Sequence, residues 1–230
     1  FSRKGANVVL ADINPDSGNQ LAEEIGQEGG KAIFVKADVS VTGEVKAMVD
    51  KTVQVYGKLD YAFNNAGIAI EFAPVHEASE EAWDRVIAVN LKGVWACMKY
   101  EISYMLKNGG GTIVNMSSIH GLSGMQHHYA YVASKHGVIG LTRCAALDYG
   151  MQGIQINALC PGLIETPLVI ENRKLMQQDE KLWEIYKGLE DEHKVGRLGK
   201  PEEVADAVVF LCTAPRFLSG TNLVIDGAAM

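Results

Sequence analysis

Tyr131 and Lys135 stand four residues apart in the segment YVASK, so on a helix they share one face, a single turn apart. A phenol is a poor base at its ordinary pKa of about 10, and bringing it towards neutrality takes roughly 3 to 4 kcal/mol. A lysine ammonium about 4 Å away supplies about 4 kcal/mol of Coulomb energy at an effective dielectric near 20, so such a pair could exchange a proton with a bound alcohol. The spacing alone is common on ordinary helices, and its meaning depends on what else reaches the same place. Ser118 closes the apolar run IVNMSS, where its hydroxyl either faces the same crevice or turns the chain. Asn90 interrupts the apolar stretch VIAVNLKGVWACM, either as a satisfied core amide or as a polar group of a site.

The elements that would position these residues follow from periodicity. Short apolar runs predict strands at Asn7–Asp12, Ala32–Ala37, Leu59–Asn64, Thr112–Ser117, Ile154–Cys160 and Asn222–Asp226. Helical period predicts helices at Asp16–Glu28, Val41–Tyr56, Ser79–Leu106, Tyr129–Tyr149 and Pro201–Thr213. Strands such as VVLAD and TIVNMSS are apolar on consecutive positions, as expected where helices cover both faces of a parallel sheet. The expectation is a doubly wound α/β fold in a single domain, with ligands bound at the carboxyl ends of the strands. The segment Leu168 to Val195 is highly charged and reads as a solvated helix, in the place where a substrate lid would sit.

Polar residues collect at those strand ends. Asp12 either accepts hydrogen bonds from an adenosine ribose, which favours NAD over NADP by repelling a 2′-phosphate, or caps the next helix. Asn14 and Asp16 are equally suitable caps. His127 and His128 are adjacent but lack a third ligand at helical spacing, so they read as loop residues and no metal is expected; His120 lies close enough to Ser118 to meet a substrate.

The composition narrows the class. The 230 residues carry a formal net charge of -7 with no basic run, which leaves no electrostatic footprint for nucleic acid or an anionic membrane surface. No stretch is suited to a membrane span or a signal peptide. The cysteines Cys97, Cys144, Cys160 and Cys212 are widely spaced in apolar runs and read as buried thiols of a reducing compartment, the cytoplasm.

Taken together, NNAG at Asn64 to Gly67, VNLKGV at Val89 to Val94, IVNMSS at Ile113 to Ser118, YVASK at Tyr131 to Lys135 and PG at Pro161 to Gly162 resemble the short-chain dehydrogenase/reductase family over almost the whole chain. The resemblance implies a Rossmann-type fold and a catalytic tetrad of Asn90, Ser118, Tyr131 and Lys135. In that family the serine holds the substrate oxygen, the tyrosine exchanges the proton, the lysine binds the nicotinamide ribose and the asparagine positions a relay water. Cofactor contacts are implied at Asp12, Ile13, Asp38, Val39, Asn65, Ala66 and Gly67, at Tyr131 and Lys135, and at Pro161, Ile164 and Thr166. The family's glycine-rich phosphate loop and the strand before it would lie upstream of Phe1, so the sequence is expected to be incomplete at its N-terminus. The implied activity is NAD-dependent interconversion of a secondary alcohol and a ketone, in a homotetramer. The alternatives are an NADPH-dependent carbonyl reductase and a non-catalytic NAD-sensing protein of the same fold.

Overall fold

The computed structural model describes all residues from Phe1 to Met230. Six strands, β1 (Asn7–Asp12), β2 (Lys31–Lys36), β3 (Tyr61–Asn64), β4 (Gly111–Met116), β5 (Ile154–Pro161) and β6 (Asn222–Ile225), alternate with helices along the chain. Every strand pair is parallel, so all carboxyl ends open on one edge. The ladder is in two parts, β1–β2 and β3–β4–β5–β6. No strand hydrogen-bonds β1 to β3; the two parts are instead held by helices.

Packing on both faces bears out the doubly wound arrangement. Along β4 and β5 the side chains alternate, as the pleat requires. Ile113, Ile154 and Ile156 pack with Met98, Ile102, Met105 and Val138, which belong to α4 (Val94–Met105) and α5 (Tyr129–Tyr149). Val114 and Leu159 turn the other way, onto Val204, Val208 and Leu211 of α8 (Pro201–Thr213). The β1–β2 pair is tied in through α2 (Thr42–Tyr56), whose Val45 packs on Ala96 and Cys97 of α4.

One alternative of the sequence reading is decided, and three local features differ from it. The helix α1 (Pro15–Gln27) is capped by Asn14, whose Oδ1 accepts from the Asp16 and Ser17 amides, and not by Asp12. The long helix expected from Ser79 to Leu106 is divided into α3 (Glu80–Ile87), a π-helical turn (Ala88–Gly93) and α4. A β-carbon on Gly93 would come within 2.9 Å of Val39, so this glycine lets the π turn lie against the loop after β2. The charged segment after β5 forms two helices, α6 (Pro167–Met176) and α7 (Glu180–Glu192), which bury Met176 and Tyr186 and so are more than a solvated surface. Cys144 is exposed, unlike the other three cysteines, because it lies on the outer side of α5.

One polar network runs through the core. Asn64 at the end of β3 donates through Nδ2 to Glu101 Oε2 (3.1 Å) and Asn115 Oδ1 (2.9 Å), and Asn115 Nδ2 donates to Thr142 Oγ1 (3.0 Å). It bridges β3, β4, α4 and α5 beneath the strand ends. Glu101 is 4% exposed, and burial pushes its carboxyl up to about 7, against the stabilising hydrogen bond from Asn64. Between its ordinary 4.5 and that value the folded chain holds a proton that the unfolded chain has released, so Glu101's contribution to stability falls as pH rises through this window. Glu101→Gln is therefore expected to raise stability at pH 8 by on the order of 2 kcal/mol and to change it little near pH 4.5. Urea unfolding at the two pH values checks this, and an equal effect at both would assign the change to packing.

Candidate active site

The expected site residues converge at the strand-end edge. Ser118 follows β4 directly and precedes the 3-10 turn Ile119–Gly121. Its Oγ accepts from the His120 amide at 3.1 Å, leaving the hydroxyl hydrogen free to donate. A β-carbon on Gly121 would lie 2.8 Å from the Lys135 carbonyl oxygen and 2.9 Å from Ile139, so only glycine lets this turn sit flat on α5. Ser117 Oγ fastens the same junction by donating to the Lys135 carbonyl at 2.9 Å.

On α5, Ser134, Lys135, Val138, Ile139, Thr142 and Ala145 are buried on the face turned to the sheet. Lys135 is 3% exposed and its Nζ donates to the Met116 carbonyl at 3.0 Å. Nζ lies 5.4 Å from the centre of the Tyr131 ring. Burial pushes the Lys135 ammonium down to about 8, opposed by the field of Cys160. Burial also raises the Tyr131 phenol above its ordinary 10, opposed by the Ser118 hydroxyl. The sequence-based expectation that the ammonium lowers the phenol is not met by this arrangement. Desolvation is the leading influence on both groups and favours their neutral forms, while the ammonium is directed to a backbone carbonyl.

Asn90 lies in the π turn with no exposed surface. Its Oδ1 accepts from the Ile68 amide (2.8 Å), and its Nδ2 donates to the Ile68 carbonyl (2.9 Å) and Ser134 Oγ (3.2 Å). Ser134 Oγ in turn donates to the Tyr131 carbonyl. Both amide hydrogens are thus committed, and the side chain clasps the loop after β3 to the helix bearing Tyr131. Gly67 completes this contact: a β-carbon there would be 3.4 Å from Asn90 Oδ1 and 3.5 Å from Lys135 Nζ.

The remaining expected contacts spread along the same edge. Asp12 Oδ1 accepts from the Asn14 amide at 2.9 Å, which leaves the second carboxylate oxygen uncommitted, and Ile13 beside it is 63% exposed. Asp38 is drawn inward, accepting from the Ser40 hydroxyl and amide, which together with a small contribution from Arg85 hold its carboxyl below the usual range. Val39 packs on the π turn. Asn65 and Ala66 are exposed just past β3, whereas Pro161 is buried at the end of β5. Ile164 bridges to Gly199, and Thr166 caps α6 by accepting from the Val169 amide.

Beside Ser118 and Tyr131 lies a cavity of about 100 Å³ whose walls contain no Lys, Arg, Asp or Glu. Phe72, Leu163, Leu168, Met176 and Leu189 supply apolar surface. His128, adjacent to α5, is sandwiched between Phe72 (centroids 4.5 Å apart) and Tyr131 (4.6 Å, planes 9° apart). Burial pushes it down to about 3, and His120 is also lowered by burial, so both rings are neutral near pH 7. His193 latches the end of α7 onto the loop after β5: Nδ1 donates to the Leu189 carbonyl and Nε2 accepts from the Leu163 amide at 2.9 Å. Sequence reasoning placed Leu168 to Val195 where a substrate lid would sit but missed which residues of α6 and α7 wall the cavity, and missed His128 and His193; the signal was the apolar Leu168, Val169, Tyr186 and Leu189 scattered among charges.

A doubly wound parallel sheet with a buried lysine one turn from a tyrosine at its carboxyl edge defines an oxidoreductase class. The chain belongs to the short-chain dehydrogenase/reductase family: a family model described as Enoyl-(Acyl carrier protein) reductase matches residues 1–228. Cyclohexanol dehydrogenase of Acinetobacter sp. (strain SE19) is 44% identical over 229 residues, covering 99% of this chain and 86% of that protein. The 2,5-dichloro-2,5-cyclohexadiene-1,4-diol dehydrogenase of Sphingobium indicum (strain DSM 16412) is 41% identical over 225 residues, 97% of this chain and 86% of the relative. The crystal structure of levodione reductase superposes with a TM-score of 0.87 at 33% identity, covering 97% of this chain and 88% of that one.

The Asn90 clasp generates a prediction. Asn90→Ala would leave the Ile68 amide and carbonyl without partners in the interior, at a cost of about 2 to 4 kcal/mol. Denaturant unfolding at pH 7 measures the loss; a loss under about 0.5 kcal/mol, the ordinary surface range, would mean that solvent replaces the clasp.

Proposed function

We propose that the protein interconverts a small, uncharged secondary alcohol and its ketone using NAD(H), with Ser118 and Tyr131 handling the reacting oxygen. The observation that carries this reading is the position of both hydroxyls in the wall of an apolar cavity, one helical turn from a buried ammonium. A cavity of about 100 Å³ restricts the reacting part of the substrate to a small group. The absence of any charged wall residue disfavours anionic substrates.

The residues present fit the adenosine and nicotinamide ends of a nicotinamide dinucleotide. Asp12 offers a free carboxylate oxygen for ribose hydroxyls, the exposed Ile13 a flat apolar contact for adenine, and Lys135 two ammonium hydrogens beyond the one given to Met116. Asp38, Val39, Asn65, Ala66, Gly67, Pro161, Ile164 and Thr166 complete the proposed contacts along the edge. The bound nicotinamide supplies the hydride acceptor for alcohol oxidation and the donor for ketone reduction. Ser118 donates to the substrate oxygen through its hydroxyl hydrogen, while its oxygen accepts from the His120 amide. Tyr131 takes the alcohol proton during oxidation and returns it during reduction, and Lys135 holds the ribose and favours the tyrosinate when charged. Asn90 acts as a positioning residue through Ile68 and Ser134, and the π turn, with its backbone bonds out of α-helical register, is the proposed seat of a relay water.

A second reading, NADPH-dependent reduction of a carbonyl, is favoured by one observation: Lys36 stands opposite Asp12 in the β1–β2 register, a cation within reach of a 2′-phosphate. Both readings are tested with the full-length protein on cyclohexanol and cyclohexanone with each cofactor, followed as absorbance of the reduced nicotinamide. Tyr131→Phe should reduce turnover at least 100-fold while cofactor affinity changes by no more than a few-fold. Asp12→Ala should erode a preference for NAD; a parent enzyme that prefers NADP selects the second reading. Undiminished turnover in Tyr131→Phe would overturn the proton-transfer assignment.

We also propose that the protein is a homotetramer. Trp95, 42% exposed, lies with Ile87, Leu91, Leu141 and Cys144 along an outer apolar groove between the π turn, α4 and α5. Gly137 and Gly140 line the same groove, and closed symmetric association is the usual way to cover such a strip. Sedimentation equilibrium of the full-length protein should give a tetramer, and Trp95→Glu should shift it towards smaller species; a parent that stays monomeric at all concentrations would refute the assembly.

A further inference from the structure

The cavity contains more hydrogen-bonding capacity than one substrate oxygen uses. His120 Nδ1, His128 Nε2 and the Tyr186 hydroxyl have no hydrogen-bond partner. Their side chains line the cavity and are 9%, 7% and 2% exposed. They come from three separate elements, the turn after β4, the residue preceding α5, and α7, so no single displaced segment accounts for them. Buried polar groups in folded proteins almost always find partners, and orphans concentrated in one ligand cavity indicate atoms awaiting a ligand. None of the three is needed by the proton exchange at Ser118 and Tyr131.

The chemistry of the three atoms restricts what could satisfy them. His128 Nδ1 faces the Met125 thioether at 3.2 Å, and a thioether only accepts, which assigns the ring hydrogen to Nδ1 and leaves Nε2 as an acceptor. The Tyr186 hydroxyl can donate: after burial, Glu190 acts on it through its field and a weak hydrogen-bonding contact, but no acceptor lies within full hydrogen-bonding geometry. A group that donates to His128 and accepts from Tyr186 is a hydroxyl. A carbonyl could serve only the donor, and a carboxylate would enter a cavity without a cation. We infer that the substrate is a ring bearing a second hydroxyl besides the reacting one, and that His120, His128 and Tyr186 recognise it. This rests on the alcohol-dehydrogenase reading above, and it agrees with the relative whose name specifies a cyclohexadiene-1,4-diol.

The test compares cyclohexanol with cyclohexane-1,4-diol in the full-length enzyme, using kcat/KM with the preferred cofactor. The diol is expected to be favoured about tenfold, equivalent to about 1.4 kcal/mol and well beyond the statistical advantage of carrying two hydroxyls. Tyr186→Phe removes one oxygen atom and should bring the ratio of the two kcat/KM values close to one. Histidine ring resonances provide a readout independent of turnover: millimolar diol should shift those of His120 and His128 more than millimolar cyclohexanol does. Equal kcat/KM for the two alcohols, or a ratio unmoved by Tyr186→Phe, overturns the inference and assigns the three atoms to bound water. Failure of both alcohols to react with either cofactor would overturn the dehydrogenase reading itself. In that event larger histidine shifts with the diol would still support the second-hydroxyl site, and equal shifts would remove it as well.

Discussion

The rest of the site depends on the burial of the Lys135 ammonium. Taking a lysine to 3% exposure costs hydration, and the depression of its pKa from 10.5 to about 8 corresponds to roughly 3 kcal/mol. One carbonyl, that of Met116, partly offsets this. The surrounding structure fixes that arrangement: Ser117 holds the Lys135 backbone, Gly121 lets the turn after β4 lie flat against it, and Gly67 brings the β3 loop close to Nζ. Below the folded pKa the charge is present in both states, and between about 8 and 10.5 the unfolded chain binds the extra proton, so Lys135's effect on stability becomes more favourable as pH rises through that range. A group that weakens the fold near neutral pH and is retained at the strand-end edge fits a function in ligand binding better than one in stability.

Tyr131 is affected in the opposite sense by the same desolvation. Its phenol is raised while the lysine is lowered, so without an added charge the pair is biased towards neutral forms. A cationic ligand group close to the phenol would favour the tyrosinate, and an acceptor for the two uncommitted ammonium hydrogens would favour the charged lysine. The histidine stacked on Tyr131 cannot supply that charge, because burial keeps His128 neutral down to about pH 3.

What was legible in the sequence was whatever depends on neighbours along the chain. Strand bounds fall within about two residues because each run is mostly apolar or β-branched and ends in a turn, and the bounds of α5 and α8 match because Tyr129 and Pro201 begin clear helical periods. The family was legible for a related reason: five short motifs occur in order at fixed spacing, and one model covers residues 1–228. The π turn was not, since Asn90 and Gly93 in AVNLKG are tolerated in ordinary helices; the contacts that accompany it come from Val39 and Ile68, 20 or more residues away, meeting Gly93 and Asn90. The cavity walls on α6 and α7 were hidden for the opposite reason. Their few apolar side chains are diluted by charges facing solvent, and hydropathy averages over both faces. His128 is indistinguishable in sequence from its neighbour His127, and only the aromatic sandwich with Phe72 and Tyr131 separates them.

The packing around the π turn gives these contacts a mechanical meaning. Asp12 and Asp38 lie at the ends of β1 and β2, while Ser118, Tyr131, Lys135 and the cavity belong to the part built on β4, β5 and α5. Val45 packs against Ala96 and Cys97, and Val39 against Gly93, so the loop after β2 bears directly on the π turn. A ligand reaching from Asp12 to Lys135 would contact both groups of elements and add its binding free energy to their association. The same π turn that receives Val39 also carries Asn90, which holds the loop next to Lys135. One short piece of backbone thus touches both the loop that carries Asp38 and the loop next to Lys135, so a ligand that ordered the first loop would bear through the π turn on the second.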